Sequence, residues 1–500
     1  MNNKNLKWNF IFQYGFVITN ILNGLLTFPL YIHNIDAATL GLWVATGNIL
    51  AWMTLADPGV GDVLQQRIAQ LRGQNKTEEI GVTIGSGLIM SSFILIIAVI
   101  AGIIFYFLVG KIVDKDVSQY AGLQTALLIS IIATGMSLVS FSLSGINLGL
   151  QNSAPVAISG ISSNVVFLIV VVSLLFLGFG VMSIAYANLS RALYINIFNY
   201  TALQKALNRE KLAIEFSKSH LKGFVKIFSF TSVSRIIGGF SASMDMIFLA
   251  RFVPPAFITI FEVNKRPVAM AKDLIGRHSV ALMPLISHAN GKDDKTEIKS
   301  IISTQFKYYY YIAIFVSFCF LFNFHKLIDA WTGPGKFAGN DIMYLLIGNF
   351  FIGLIGYFMQ NMGYALGDIK MNSFISIFKG VVTGILFYFG SKTYGVMGVL
   401  FVMVAASFCI DFIFFGYRLY QLGYLNTTFI MGVLKKWVVV IPLAAAGGWL
   451  LSYLFATVVP SKMLLIYIGL NGLSFTVLFV GILLVLDREL RNQLRSLVKI

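Results

Sequence analysis

About fourteen apolar stretches of roughly twenty residues follow one another along this chain, separated only by short clusters of Gly, Pro, Asn or charge. They fall near 10–32, 39–66, 81–109, 118–143, 154–177, 181–203, 224–250, 255–286, 301–324, 341–365, 371–391, 395–417, 436–458 and 463–486. A stretch of that length satisfies its backbone hydrogen bonds as a helix and is long enough to cross a bilayer. The expected fold is therefore an all-α polytopic membrane protein. With 57% hydrophobic and 12% charged residues in 500, there is too little polar surface to cover a soluble globule. No small-residue cleavage site follows the first stretch, which reads as a retained helix. Cys319 and Cys409 lie in apolar runs and read as small hydrophobes rather than disulfide partners or metal ligands.

A net charge of +16 would suggest nucleic acid in a soluble protein, but here the cations sit between hydrophobic spans. With the amino terminus inside, roughly 23 of the 37 Lys and Arg fall in cytoplasmic segments. The positive-inside rule thus places both termini in the cytoplasm. The outside connections are short, the longest lying near 325–340, and leave no room for an extracytoplasmic catalytic domain. There is no HExxH, Walker loop or CxxC, so a transporter is expected rather than an enzyme, with no metal and no cofactor beyond a coupling proton or sodium ion.

RGQNKTEEI at 72–80 resembles NGKDDKTEI at 290–298, with Gly73 and Gly291 separated by 218 positions. Leu148 and Gly149 match Leu366 and Gly367 at the same offset. An even number of spans per copy gives both the same orientation, hence two six-helix lobes related by a pseudo-two-fold along the membrane normal. The expected organisation is residues 1–221 (spans one to six), 222–424 (spans seven to twelve) and 425–500 (two further helices and a cytoplasmic tail). Substrate is expected between the lobes.

The most unusual stretch is TIFEVNKRPVAMAKDLIGRH, residues 259–278. On a helix, Glu262, Lys265, Arg266, Lys272, Asp273 and Arg277 share an arc of roughly 140°. Each Lys, Arg or Asp near mid-span costs about 2.5–3.5 kcal/mol against lipid, so this face must meet water, protein or a charged ligand. Glu262 with Arg266, and Asp273 with Arg277, can also neutralise one another at i,i+4 spacing. Pro267 is placed to kink the helix. Span seven adds Arg235 and Asp245. The first span carries Asn20 and Asn23, suited to hydroxyl-rich ligands or to interhelical hydrogen bonds. In LADPGVGD, Asp57 and Asp62 flank a Pro-Gly break, where Asp57 either takes part in ion coupling or caps a helix. Lys379 and Asp411 read as a buried structural pair.

LGLWVATGNILAWMTLADPGVGDVLQQRIAQLRGQNK, the charged helix ending ALMPLISHANGK, and the WTGPGKFAG loop together resemble bacterial polysaccharide transporters of the oligosaccharide-repeat-unit flippase type. Such proteins are similar to the larger superfamily that holds multidrug extruders and the lipid II flippase. The resemblance implies a protein of the bacterial inner membrane. Its implied activity is transfer of an undecaprenyl-pyrophosphate-linked oligosaccharide, such as an O-antigen unit, to the outer leaflet by alternating access, with a polymerase and a chain-length regulator as partners. On that reading Arg266 and Arg277 meet the pyrophosphate, supported by Lys265, Lys272 and Arg235. Asn20 and Asn23 meet sugar hydroxyls, and Asp57, Asp245, Asp62, Glu262 and Asp273 are the candidates for ion coupling. A drug extruder, which takes organic cations, fits the basic face less well. A lipid II flippase shares the pyrophosphate and is not separated by charge. A membrane glycosyltransferase or polymerase lacks the outer loops it needs.

Overall fold

A computed structural model describes residues 3–55, 60–74, 76–219, 221, 244–291, 294–460, 463–487 and 489–492. Among these there is no strand. They form two compact units, Met1–Thr259 and Ile260–Ile500. The first holds α1 (Asn3–Asn34), α2 (Ala37–Leu55), α3 (Val60–Gly73), α4 (Thr77–Val113), α5 (Leu123–Gly149), α6 (Ser153–Phe176), α7 (Met182–Glu210) and helical residues 244–252, termed α8. The boundary falls in the first turns of α9 (Pro255–Gly291). The second unit continues with α10 (Lys295–Thr332), α11 (Asn340–Ala365), α12 (Ile369–Ala406), a π-helix (Ser407–Phe414), α13 (Phe415–Gln421), α14 (Thr427–Val458) and α15 (Leu464–Leu486).

Eight segments among the described residues are long and apolar enough to cross a membrane. One of them, Lys370–Gln421, is two spans in succession, because Gly395 adopts φ +56° and ψ −131° inside it. Around that break the two arms press together, with a methyl on Gly398 falling 2.0 Å from the Gly390 carbonyl. Only glycine tolerates both the positive φ and the approach. Helix α9 is long enough to span at 37 residues but carries too many charges to qualify on apolarity. The all-helical architecture fits about fourteen helices. Its outer surface suits lipid: Phe107, Leu465 and Val485 each expose more than 70% of their area.

The repeat is visible within each unit. Helices α3 and α9 both end on a glycine, Gly73 and Gly291, and the next helix begins at Thr77 or Lys295, 218 residues apart in both cases. After α5 and α11 the same turn recurs. Asn152 N donates to Asn147 O at 2.8 Å and Asp368 N to Gly363 O at 3.1 Å, with Gln151 and Gly367 at φ +59° and +81°. Arg72 Nη1 donates to Leu150 O at 2.6 Å, and Asn290 Nδ2, its counterpart, to Leu366 O at 3.1 Å. Leu150 and Leu366 are thus equivalent, an offset of 216. The pairing of Leu148 with Leu366 and Gly149 with Gly367 is therefore displaced by two residues. The left-handed position of the turn fixes the register, and in the first copy it is a glutamine rather than a glycine.

Candidate functional site

Helix α9 runs without interruption through Pro267. Its upper part is held by Asn264, whose Nδ2 donates to Lys336 O at 2.8 Å while its Oδ1 accepts from Ala338 N at 3.2 Å. This clamps the WTGPGKFAG loop, whose Gly333, Gly335 and Gly339 all have positive φ. Further along, α10 reaches the backbone of α9. The Tyr309 hydroxyl from α10 donates to Ile275 O at 2.8 Å and accepts from Ser279 N at 2.7 Å. The helix is nevertheless continuous from Pro255 to Gly291, past both Pro267 and this contact.

Along α9 the charges grade from half-buried to exposed. Glu262, Lys265, Arg266 and Lys272 are half-buried, and Asp273 and Arg277 are exposed. Asp273 lies in the field of Lys272 and Arg277. Asp273 and Arg277 make no ion pair within 4 Å of each other, although Arg277 still acts on Asp273 at longer range. Apolar Phe261, Val263 and Val268 are buried beneath the charged face, whereas Leu274 is exposed.

Lys272 reaches a charge cluster of the second unit. Its Nζ would lie 2.9 Å from a methyl on Gly353 of α11, beside Ser407 Oγ at 3.4 Å from the same point. It feels Lys379 and Asp411 electrostatically. Lys379 Nζ donates to Asp411 Oδ2 at 2.5 Å. Asp411 occupies the π-helix, where the wider turn presses its backbone onto α11: a methyl on Gly356 would sit 2.4 Å from Asp411 Cβ. Ser407 Oγ donates to Asn349 Oδ1 at 2.8 Å. Lys379 thus pairs with Asp411, and Lys272 lies in the field of that pair and of Asp273. Counting the whole α9 face with this cluster, five cations meet three carboxylates. The chemistry suits a multiply charged anion: guanidinium offers paired donors to phosphate oxygens and ammonium a point charge.

In the first unit, Asn23 Nδ2 donates to Asn164 O at 2.9 Å, so Asn23 joins α1 to α6. Asn20 is half-buried on the same helix. Asp245 in α8 is buried. Asp57 and Arg235 lie outside the described residues, as does the side chain of Asp62.

Sequence reasoning missed two further arrangements. Arg191 on α7 places its guanidinium 5.3 Å from the centroid of Phe167 on α6. In the second unit Tyr311, Lys307 and Lys436 converge on Asp487 at 2.8, 3.4 and 3.2 Å, fastening α10 and α14 to the end of α15. An arginine midway along SIAYANLSRALYINIF was the available signal for the first. For the second, nothing in the local sequence pairs positions so far apart.

The family model described as the lipid II flippase MurJ matches residues 66–469. No curated protein sequence matches the chain. Among solved structures, the lipid II flippase MurJ in an inward closed conformation is similar at TM-score 0.69 and 14% identity, covering 96% of this chain and 99% of that one. An inward-facing multidrug resistance MATE family transporter of the MOP superfamily is similar at TM-score 0.65 and 14% identity, covering 81% and 96%. A MATE transporter of Vibrio cholerae is similar at TM-score 0.58 and 13% identity, covering 86% and 98%. At these identities the structural likenesses show the fold.

Proposed function

The chain belongs to the lipid II flippase MurJ family, and from that premise we propose that it carries an undecaprenyl-pyrophosphate-linked glycan from the cytoplasmic to the outer leaflet of the bacterial inner membrane. The cargo is an oligosaccharide repeat unit of a surface polysaccharide such as O-antigen, handed on to a polymerase and a chain-length regulator. The observation that carries the proposal is the cationic surplus along α9 and its continuation to Lys272, Lys379 and Asp411. A pyrophosphate supplies the negative charge that such a surface lacks, and a lipid-linked anion explains why the surface lies in a membrane protein.

Arg266 and Arg277 bind the pyrophosphate, with Lys265, Lys272 and Arg235 supporting. Asn20 and Asn23 face the glycan. Asp57, Asp62, Asp245, Glu262 and Asp273 couple transport to protons or sodium ions. Alternating access of the lobes 1–221 and 222–424 moves the cargo, with both termini in the cytoplasm. Family membership favours a second reading, in which the cargo is lipid II itself.

A deletion strain tests both. Accumulation of a complete lipid-linked repeat unit with loss of surface polymer supports the repeat-unit reading. Inability to delete the gene, with lipid II building up on depletion, supports the second. Normal lipid-linked pools with altered sensitivity to cationic drugs would overturn both.

A further inference from the structure

Arg191 is a charge on α7, inside the expected sixth span 181–203, and no residue role above uses it. Among the described residues it has no hydrogen-bond acceptor and no carboxylate partner; its contact is the Phe167 ring at 5.3 Å. Tyr31 of α1 is close enough to feel its charge. A ring face offsets only part of what a guanidinium loses on leaving water. Lipid does not supply the rest. Tyr186, Leu193, Ile197 and Tyr200 form the exposed ridge of α7, and Arg191 lies about 140° or more around the helix from Tyr186 and Leu193. It is half-buried, on the side of α7 turned away from that ridge.

Its depth is also informative. Arg191 is nine residues into α7, about 14 Å from the helix start. The other end of α7 carries Lys205 and Arg209, with Lys211 just beyond. By the positive-inside rule that end is cytoplasmic, so Arg191 lies in the outer half of the membrane. One turn before Phe167 on the same face of α6 is Asn164, 1% exposed. Its Nδ2 donates to Thr19 Oγ1 at 2.8 Å, and its Oδ1 has no partner among the described residues. Against α6 there is therefore an uncompensated cation and, one turn away, a buried acceptor without a partner among the described residues.

Resting on the flippase reading, we propose that Arg191 is an anion-binding residue that takes a phosphate oxygen of the lipid-linked cargo in the outer half of the membrane, distinct from the α9 face. The guanidinium supplies two parallel donors to a phosphate, and Asn164 Oδ1 accepts from a hydroxyl or amide of the attached sugar. Phe167 holds the guanidinium plane in place between transport cycles. On the outer side of the membrane centre, Arg191 is where the pyrophosphate is held before release.

The test is binding of undecaprenyl pyrophosphate and of uncharged undecaprenol to the purified full-length protein, with melting temperature recorded for each variant. Wild type is expected to prefer the pyrophosphate. Arg191→Met is expected to lose at least tenfold in pyrophosphate affinity with undecaprenol binding unchanged, and Arg191→Lys to recover part of it. Since an uncompensated charge is removed, the melting temperature of Arg191→Met should equal or exceed that of wild type. If wild type does not distinguish the two lipids, the pyrophosphate reading falls and this site with it. If wild type distinguishes them and Arg191→Met does so equally, only the Arg191 site is refuted. A lowered melting temperature in Arg191→Met that Arg191→Lys restores would assign the residue to structure instead.

Discussion

Asp411 and Lys379 form one ion pair, yet removing the acid should cost more than removing the base. The reason is Lys272, which packs against Gly353 and senses both partners. Asp411 keeps 10% of its side-chain area exposed and Lys379 29%. Losing one partner of a buried pair typically costs about 3–5 kcal/mol because the other charge is stranded. In Lys379→Met, the Asp411 carboxylate still has the Lys272 ammonium nearby, so about 2 kcal/mol is expected, below that range. In Asp411→Asn, two ammonium groups face each other with no carboxylate between them, and about 4 kcal/mol is expected. Adding Lys272→Met to Asp411→Asn should then recover about 1–2 kcal/mol by removing the repulsion. Equilibrium denaturant titration in mild detergent, followed by tryptophan fluorescence, measures all three. The reasoning is refuted if Lys379→Met is the more damaging single change, or if Lys272→Met brings no recovery.

Other consequences follow from neighbouring contacts. Tyr309→Phe removes the hydroxyl that bridges Ile275 O and Ser279 N; a loss of about 1–3 kcal/mol is expected in the same titration, and an unchanged midpoint would contradict the bridge. Gly356→Ala places a methyl 2.4 Å from Asp411 Cβ, so the variant should insert poorly or melt well below wild type, and a normal melting curve would show that α11 has room to move. Burial alone would push Asp487 up, but the Tyr311 hydroxyl, the Leu490 amide, Lys307 and Lys436 hold it down at about 2 against an ordinary 3.8. A depressed carboxylate stabilises the fold above its unfolded value and loses that contribution as pH falls. Melting temperature should therefore drop between about pH 4 and 2, and Asp487→Asn should lose that dependence.

The helical spans were legible because twenty apolar residues in succession admit few alternatives to a membrane helix. The break at Gly395 was readable for the same reason, since the apolar run from 371 to 417 is too long for one crossing. The charged face of α9 was legible as a pattern because six charges fall on one arc of a helix, whatever their partners. Less could be read where the outcome depends on a distant partner. Asn23 suited either a sugar or a neighbouring helix, and only the fold shows that its Nδ2 reaches the Asn164 carbonyl at 2.9 Å. The π-helix around Asp411 leaves no periodic signature in eight residues. Pro267 drew attention as a kink because proline is visible in sequence, whereas the Tyr309 hydroxyl that bridges Ile275 O and Ser279 N comes from another helix. The repeat was visible in its polar loops, but its register after the fourth helix is set by the backbone conformation of Gln151, which the residue type conceals.

The central claim is that the basic face of α9 carries a lipid-linked pyrophosphate across the membrane. Its most direct test is translocation of a fluorescent undecaprenyl-pyrophosphate oligosaccharide in proteoliposomes, read by accessibility of the sugar to a lectin outside, with wild type compared against Arg266→Gln/Arg277→Gln. The account predicts transfer by wild type and at least a tenfold slower rate in the double variant at equal reconstitution. A double variant that moves the glycan at the wild-type rate, or a wild type that does not move it, would contradict the claim.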